Sequence, residues 1–168
     1  FMIENKIANS GLISLDLGDF IIEGERVQLD ISEFLINKLV LREKDFRDKL
    51  KKYDWSHYNN KIVAIYCSSD AIIPPWAYMF ITSKLQPIAK YISFSKNIEQ
   101  LESELFNKSI SKLNLNQLKG KKVLIKGCNF HTVPLSAYVS ISALLLPVVS
   151  SLMYGEACSN VVIYKQKK

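Results

Sequence analysis

The sequence predicts an α/β fold, a mostly parallel sheet built from a duplicated strand-loop-helix-strand unit with an N-terminal α+β cap. Three observations carry that expectation. Two short apolar runs, 62 to 66 and 122 to 126, have the length and β-branched content of buried strands. The segment that begins with the first run recurs 60 residues later around the second. Between them, "NIEQLESELFNKSISKL" (97 to 113) spaces Ile98, Leu101, Leu105, Ile110 and Leu113 as an amphipathic helix does.

The recurrence is visible when "KIVAIYCSSDAIIPPWAYMFITSKLQP" (61 to 87) is laid on "KKVLIKGCNFHTVPLSAYVSISALLLP" (121 to 147). Nine of 27 positions coincide without a gap, among them Pro74/Pro134, the pair Ala77-Tyr78/Ala137-Tyr138, and Pro87/Pro147. About two would coincide from average residue usage. Prolines are structural punctuation rather than apolar filler, so their agreement counts for more than that of valines. Pro74 and Pro134 suit helix starts, where no amide hydrogen is needed, and Pro87 and Pro147 should kink or end the same helices. "YISF" (91 to 94) and "SLMY" (151 to 154) return as strands, which gives parallel strands joined by helical crossovers. The repeat units then span 61 to 95 and 121 to 155 of a single domain.

The first 60 residues carry more charge and have no counterpart to that repeat. "LISLDL" alternates as a strand does, and "ERVQLDI" is expected to pair with it across "GDFIIEG". Asp30 or Ser32 then caps a helix in "ISEFLINKLV", and "EKDFRDKLKKYDW" is a second, exposed helix. This region reads as a cap over one face or edge of the sheet.

Composition narrows the function classes. The chain has 168 residues, of which 48% are hydrophobic and 11% aromatic, enough for a substantial core. Its net charge is +6, yet only Arg26, Arg42 and Arg47 among the 22 basic residues are arginines. Nucleic-acid recognition favours clustered bidentate arginine with stacking aromatics, so no specific nucleic acid is expected as a partner. The basic tail "YKQKK" reads as a frayed end. No apolar leader with a cleavage site is visible, and three cysteines without disulfide-like spacing fit a reducing cytoplasm. Thr132 to Gly155 lacks any charge and is long enough to cross a bilayer, but its serines and two prolines favour burial in protein, so no membrane span is expected.

The repeat places the thiols. Cys67 and Cys128 follow equivalent strands, at the carboxyl edge where α/β proteins hold their sites, and the returning strand brings Cys158 to the same edge. Asp70 and His131 hang from the same two loops. Thiolates with a carboxylate or imidazole are ligands for zinc or an iron–sulfur cluster, and helix N-termini lower thiol pKa. Cys67, Asp70, Cys128, Cys158 and His131 are therefore candidate metal ligands, against the alternative that each cysteine packs as a small hydrophobe. A second class is a thiol-dependent transferase or persulfide carrier, with His131 as a base for Cys128. A third is a non-catalytic binding module with structural cysteines, in which Trp76, Tyr78 and Tyr138 line a pocket or pack the core. His57 reads as a surface or cap-packing residue.

The stretches "ANSGL" (8 to 12), "LREKDFR" (41 to 47), "CSSDAIIP" (67 to 74), "WAY" (76 to 78), "KGC" (126 to 128), "VPLSAY" (133 to 138) and "MYGEACS" (153 to 159) resemble an uncharacterised bacterial family, domain of unknown function 2480. The resemblance runs over almost the whole chain. It implies no activity; it implies company with iron–sulfur assembly proteins, and hence a metal-binding accessory role. His131 lies in "NFHT", which departs from the family pattern, so Asp70 ranks above it as a ligand.

Overall fold

A computed structural model describes residues 11–126 and 133–167. In chain order its main elements are β1 (Leu12–Asp16), β2 (Arg26–Asp30), α1 (Glu43–Lys52), β3 (Ile62–Tyr66), α2 (Pro75–Leu85), β4 (Tyr91–Phe94), α3 (Ile98–Ile110), β5 (Lys122–Lys126), α4 (Leu135–Leu145), β6 (Ser151–Glu156) and β7 (Ser159–Lys165). The class is mixed α/β, with four α-helices among the described residues and two mostly parallel sheets. The expected single sheet is thus two. One has the order β2-β3-β4 and is parallel throughout; the other has the order β1-β5-β6-β7, parallel except for the antiparallel β6–β7 hairpin.

The chain divides into two compact units. Glu23–Leu101 forms one, and the stretches before and after it form the other. Each has its own core. In the first, Leu29, Ile31, Phe34, Phe46, Leu50, Val63, Ile65, Ala77, Ile81 and Leu85 are buried together. In the second, Leu15, Leu17, Phe20, Phe106, Val123, Ile125, Ala137, Ile141, Leu145 and Leu152 do the same. The apolar runs β3 and β5 are the central strands of their sheets, each paired on both sides. A strand so placed buries both faces, which is why "IVAIY" and "KVLIK" lack the apolar-polar alternation of a half-exposed strand.

Local construction agrees at positions sixty apart. Pro74 and Pro134 stand just before α2 and α4 with extended backbone, and each carbonyl accepts from the alanine three residues on, at 3.0 and 2.9 Å. Asn60 and Gly120 both have positive φ, 56° and 69°, and their amides donate to Ile88 and Val148 at 2.8 and 2.9 Å. The tyrosines after the shared alanines each meet the last aromatic of the returning strand edge-on, Tyr78 with Phe94 at 5.5 Å and Tyr138 with Tyr154 at 5.8 Å. Trp76 packs between Phe46 and Phe80. Trp76, Tyr78 and Tyr138 are thus partly buried against the cores of their own units, while Phe94 and Tyr154 are exposed.

The first 60 residues differ most from expectation. β1 and β2 do not pair with each other: β1 runs parallel to β5, and β2 runs parallel to β3. Each strand instead has a central apolar strand to join, and a parallel neighbour buries more of its face than a two-stranded hairpin would. Asp16 and Asp30 end these strands identically, their carboxylates accepting from the amides of Gly18 and Ser32 at 2.9 Å. The turn after Asp30 is only a short 3-10 helix, Ile31–Phe34, ended by the extended backbone of Leu35, and Asn37 and Lys38 beyond it have positive φ. α1 and α3 form where their periodicity put them. The charge-free segment becomes the eleven-residue α4 followed by β6, and no helix among the described residues is long and apolar enough to cross a membrane.

Candidate functional site: the carboxyl edges and a basic groove

At the carboxyl edge of β2 and β3 a polar cluster ties two loops together. Asp30, the last residue of β2, accepts from the Ser32 amide at 2.9 Å, the Ser68 amide at 3.0 Å and the Ser68 hydroxyl. The Ser32 and Ser68 hydroxyls lie 3.1 Å apart. Burial pulls the Asp30 carboxyl upward, and the hydrogen bonds from Ser68 and Ser32 outweigh it, leaving the group below its ordinary value. It stays a carboxylate at neutral pH, with its acceptor sites taken up by the loops. Cys67 is half-buried beside it, its sulfur 3.3 Å from the Ser69 hydroxyl, while Asp70 is exposed. Tyr66 and Tyr78 are both pushed above the usual phenol range, Tyr66 by burial and then Asp30, Glu33 and Cys67, Tyr78 by burial and then Cys67.

This edge does not gather the expected ligands. Cys67 and Asp70 follow β3 of the three-stranded sheet, whereas Cys158 is exposed in the turn between β6 and β7 of the other sheet and the other unit. Cys128 and His131 lie outside the described residues. Both described cysteines are free, and among the described residues no group of three or more His, Cys, Asp or Glu could hold a metal ion. The reading of this protein as a metal-binding accessory to iron–sulfur assembly is therefore overturned. Its premise was one shared sheet edge, and the strands that carry the thiols belong to two sheets.

A second site lies at the opposite edge of the larger sheet. A groove of about 510 Å³ opens there, lined by Lys122, Ser150, Ser151, Met153, Val162, Lys165, Gln166 and Lys167. Lys122 and Ser151 begin β5 and β6, and Lys165 ends the antiparallel β7, so the lysines meet at the amino edge of the parallel strands. Met153 and Val162 are register partners and form an apolar floor. Among the described residues no acidic side chain lines the groove. Ser151 donates to the Tyr164 carbonyl at 3.0 Å and Gln166 donates its amide to Ser150 at 2.9 Å, which fixes the strand ends around it.

The β6–β7 ladder explains how two lining residues come to share a face. Val162 and Lys165 are three apart, and on a regular strand an odd separation puts side chains on opposite faces. Here Met153 pairs with Val162 and Leu152 with Tyr164, so Ile163 is an extra residue in a β-bulge. The bulge shifts the phase of everything after it. Tyr164 turns to pack against the buried core of its unit, and Lys165 turns to the groove. Re-aiming a side chain is what bulges beside binding sites do.

A family model matches residues 2–166, nearly the full length. The chain belongs to the family described as protein of unknown function, DUF2480. The family description assigns no chemistry, so the DUF2480 chain must be read from its own geometry. No curated protein and no solved structure shows a significant match to it. Sequence reasoning looked to the carboxyl edge and took "YKQKK" for a frayed end, and so missed Lys122, Lys165 and Lys167. The signal was the apolar run "VVIY" with no alternation before the lysines, which a bulge resolves and simple period-two counting does not.

Proposed function

We propose that this protein binds a small anionic ligand in the groove at the amino edge of the β1-β5-β6-β7 sheet. The observation that carries the reading is the phase shift at Ile163, which turns Lys165 onto the face of Lys122 and Lys167 above the Met153 and Val162 floor. Three ammonium groups with no acid among the lining residues favour an anion, and a volume near 510 Å³ is in the range of small-molecule sites. Calorimetric titration with inorganic phosphate and with acetate at low ionic strength tests it. Binding of either should weaken about tenfold or more in Lys165→Glu and in Lys122→Glu and fall with added salt. Anion binding unchanged in both variants would contradict the reading. The free thiols Cys67 and Cys158 support placing the protein in the cytoplasm, a proposal that cell fractionation tests.

A further inference from the structure

The groove is not uniformly basic, and the order of its lining along the strands limits what the anion carries. Ser151 and Lys165 form one cross-strand row, with Lys122 beside Ser151 on β5. The next row on the same face is Met153 with Val162, two residues along β6, or about 7 Å away. The following pair, Gly155 with Asn160, does not line the groove. The site therefore has a charged end and a single apolar row. We propose that its ligand is a small amphipathic anion, a carboxylate or phosphate with an unbranched apolar tail of about four to six carbons. The head group is held at Lys122, Lys165 and Lys167 and the tail lies across Met153 and Val162. This rests on the reading of the groove as an anion site.

Other anionic occupants fit less well. Among the described residues no aromatic side chain lines the groove, which leaves nucleobases no stacking partner there. An acidic peptide adding as a strand would use the outer edge of β7, which the bulge at Ile163 kinks out of regular pairing. A long lipid tail has no further apolar row to occupy beyond Met153 and Val162.

The test is a chain-length series at fixed ionic strength: acetate, butyrate, hexanoate and decanoate, with inorganic phosphate, hexyl phosphate and hexan-1-ol. Each methylene up to hexanoate should tighten binding about twofold, half the gain of full burial because the floor is open, with no further gain to decanoate. Hexanoate or hexyl phosphate should bind at least tenfold tighter than acetate or inorganic phosphate respectively, and whichever does so identifies the head group. Hexan-1-ol should not bind measurably. Val162→Asn, at a residue 58% exposed and so compatible with folding, should lose the tail gain, so that tailed and tail-less anions bind it alike. Equal affinities for tailed and tail-less anions, a gain that continues to decanoate, or an unchanged gain in Val162→Asn would overturn the amphipathic ligand while leaving the anion site standing. Failure of every anion to bind would remove the anion site itself.

Discussion

Asp30→Ala is the substitution whose cost the structure fixes most closely, because a built-in comparison exists at Asp16. Both aspartates end a strand and cap the 3-10 turn that follows, through one bond of 2.9 Å to an amide two residues on. Loss of such a cap costs about 1 kcal/mol. Asp30 alone also holds the β3–α2 loop through the amide and hydroxyl of Ser68. Ser68 is exposed, so these two bonds together are discounted to about 1 kcal/mol. Asp30→Ala should then cost about 2 kcal/mol and Asp16→Ala about 1 kcal/mol, or about 4–8 °C and 2–4 °C in melting temperature for a chain of this size. The pH dependence has a definite sign. The folded carboxyl sits below its ordinary 3.8, so its stabilisation is present above that value and is lost as pH falls through the folded value. The gap between wild type and Asp30→Ala should be constant from pH 7 to 5 and close below pH 4. Paired denaturation curves across that range are the assay. Equal costs at the two aspartates, or a gap that widens in acid, would refute the claim that Ser68 makes Asp30 the stronger clamp.

Two further outcomes probe the β6–β7 hairpin. Gly155 has φ +122°, and a Cβ there would stand 2.8 Å from the Ser159 carbonyl oxygen; Gly155→Ala should cost about 2–3 kcal/mol in denaturation, and a change below 0.5 kcal/mol would show the hairpin to be more pliable than its backbone implies. Deleting Ile163 removes the extra residue without moving Tyr164 or Lys165 to other faces, so the shortened chain should stay within about 1 kcal/mol of wild type and keep anion affinity within threefold. Unfolding, or loss of anion binding, in that deletion would show that the bulge does something other than set the phase.

Much of the fold was legible because it rests on strong local signals. The runs at 62 to 66 and 122 to 126 became β3 and β5, "YISF" became β4, and the prolines at 74 and 134 stand at the starts of α2 and α4. The partners of the strands were not legible. "LISLDL" and "RVQLD" fit a hairpin as well as they fit two parallel edges, and only the tertiary supply of a central strand for each decides between them. That same choice splits the expected sheet in two and puts Cys67 and Cys158 on different sheets, so the error about the thiols follows from the error about pairing. Asp30 was seen as a cap, while its bond to Ser68, 38 residues away, has no sequence signature. The groove was hidden for a different reason: one bulged residue reverses the facing of Tyr164 and Lys165, and period-two counting assigns both to the wrong side.

The central claim is that Lys165, turned by the bulge, completes an anion site with Lys122 and Lys167. Amide-resolved NMR titration of the wild-type chain with hexanoate tests it most directly. Saturable shifts should concentrate at Lys122, Ser150, Ser151, Lys165 and Gln166 and vanish in Lys165→Glu. Shifts that instead map to 67–74, or that persist in Lys165→Glu, would contradict it.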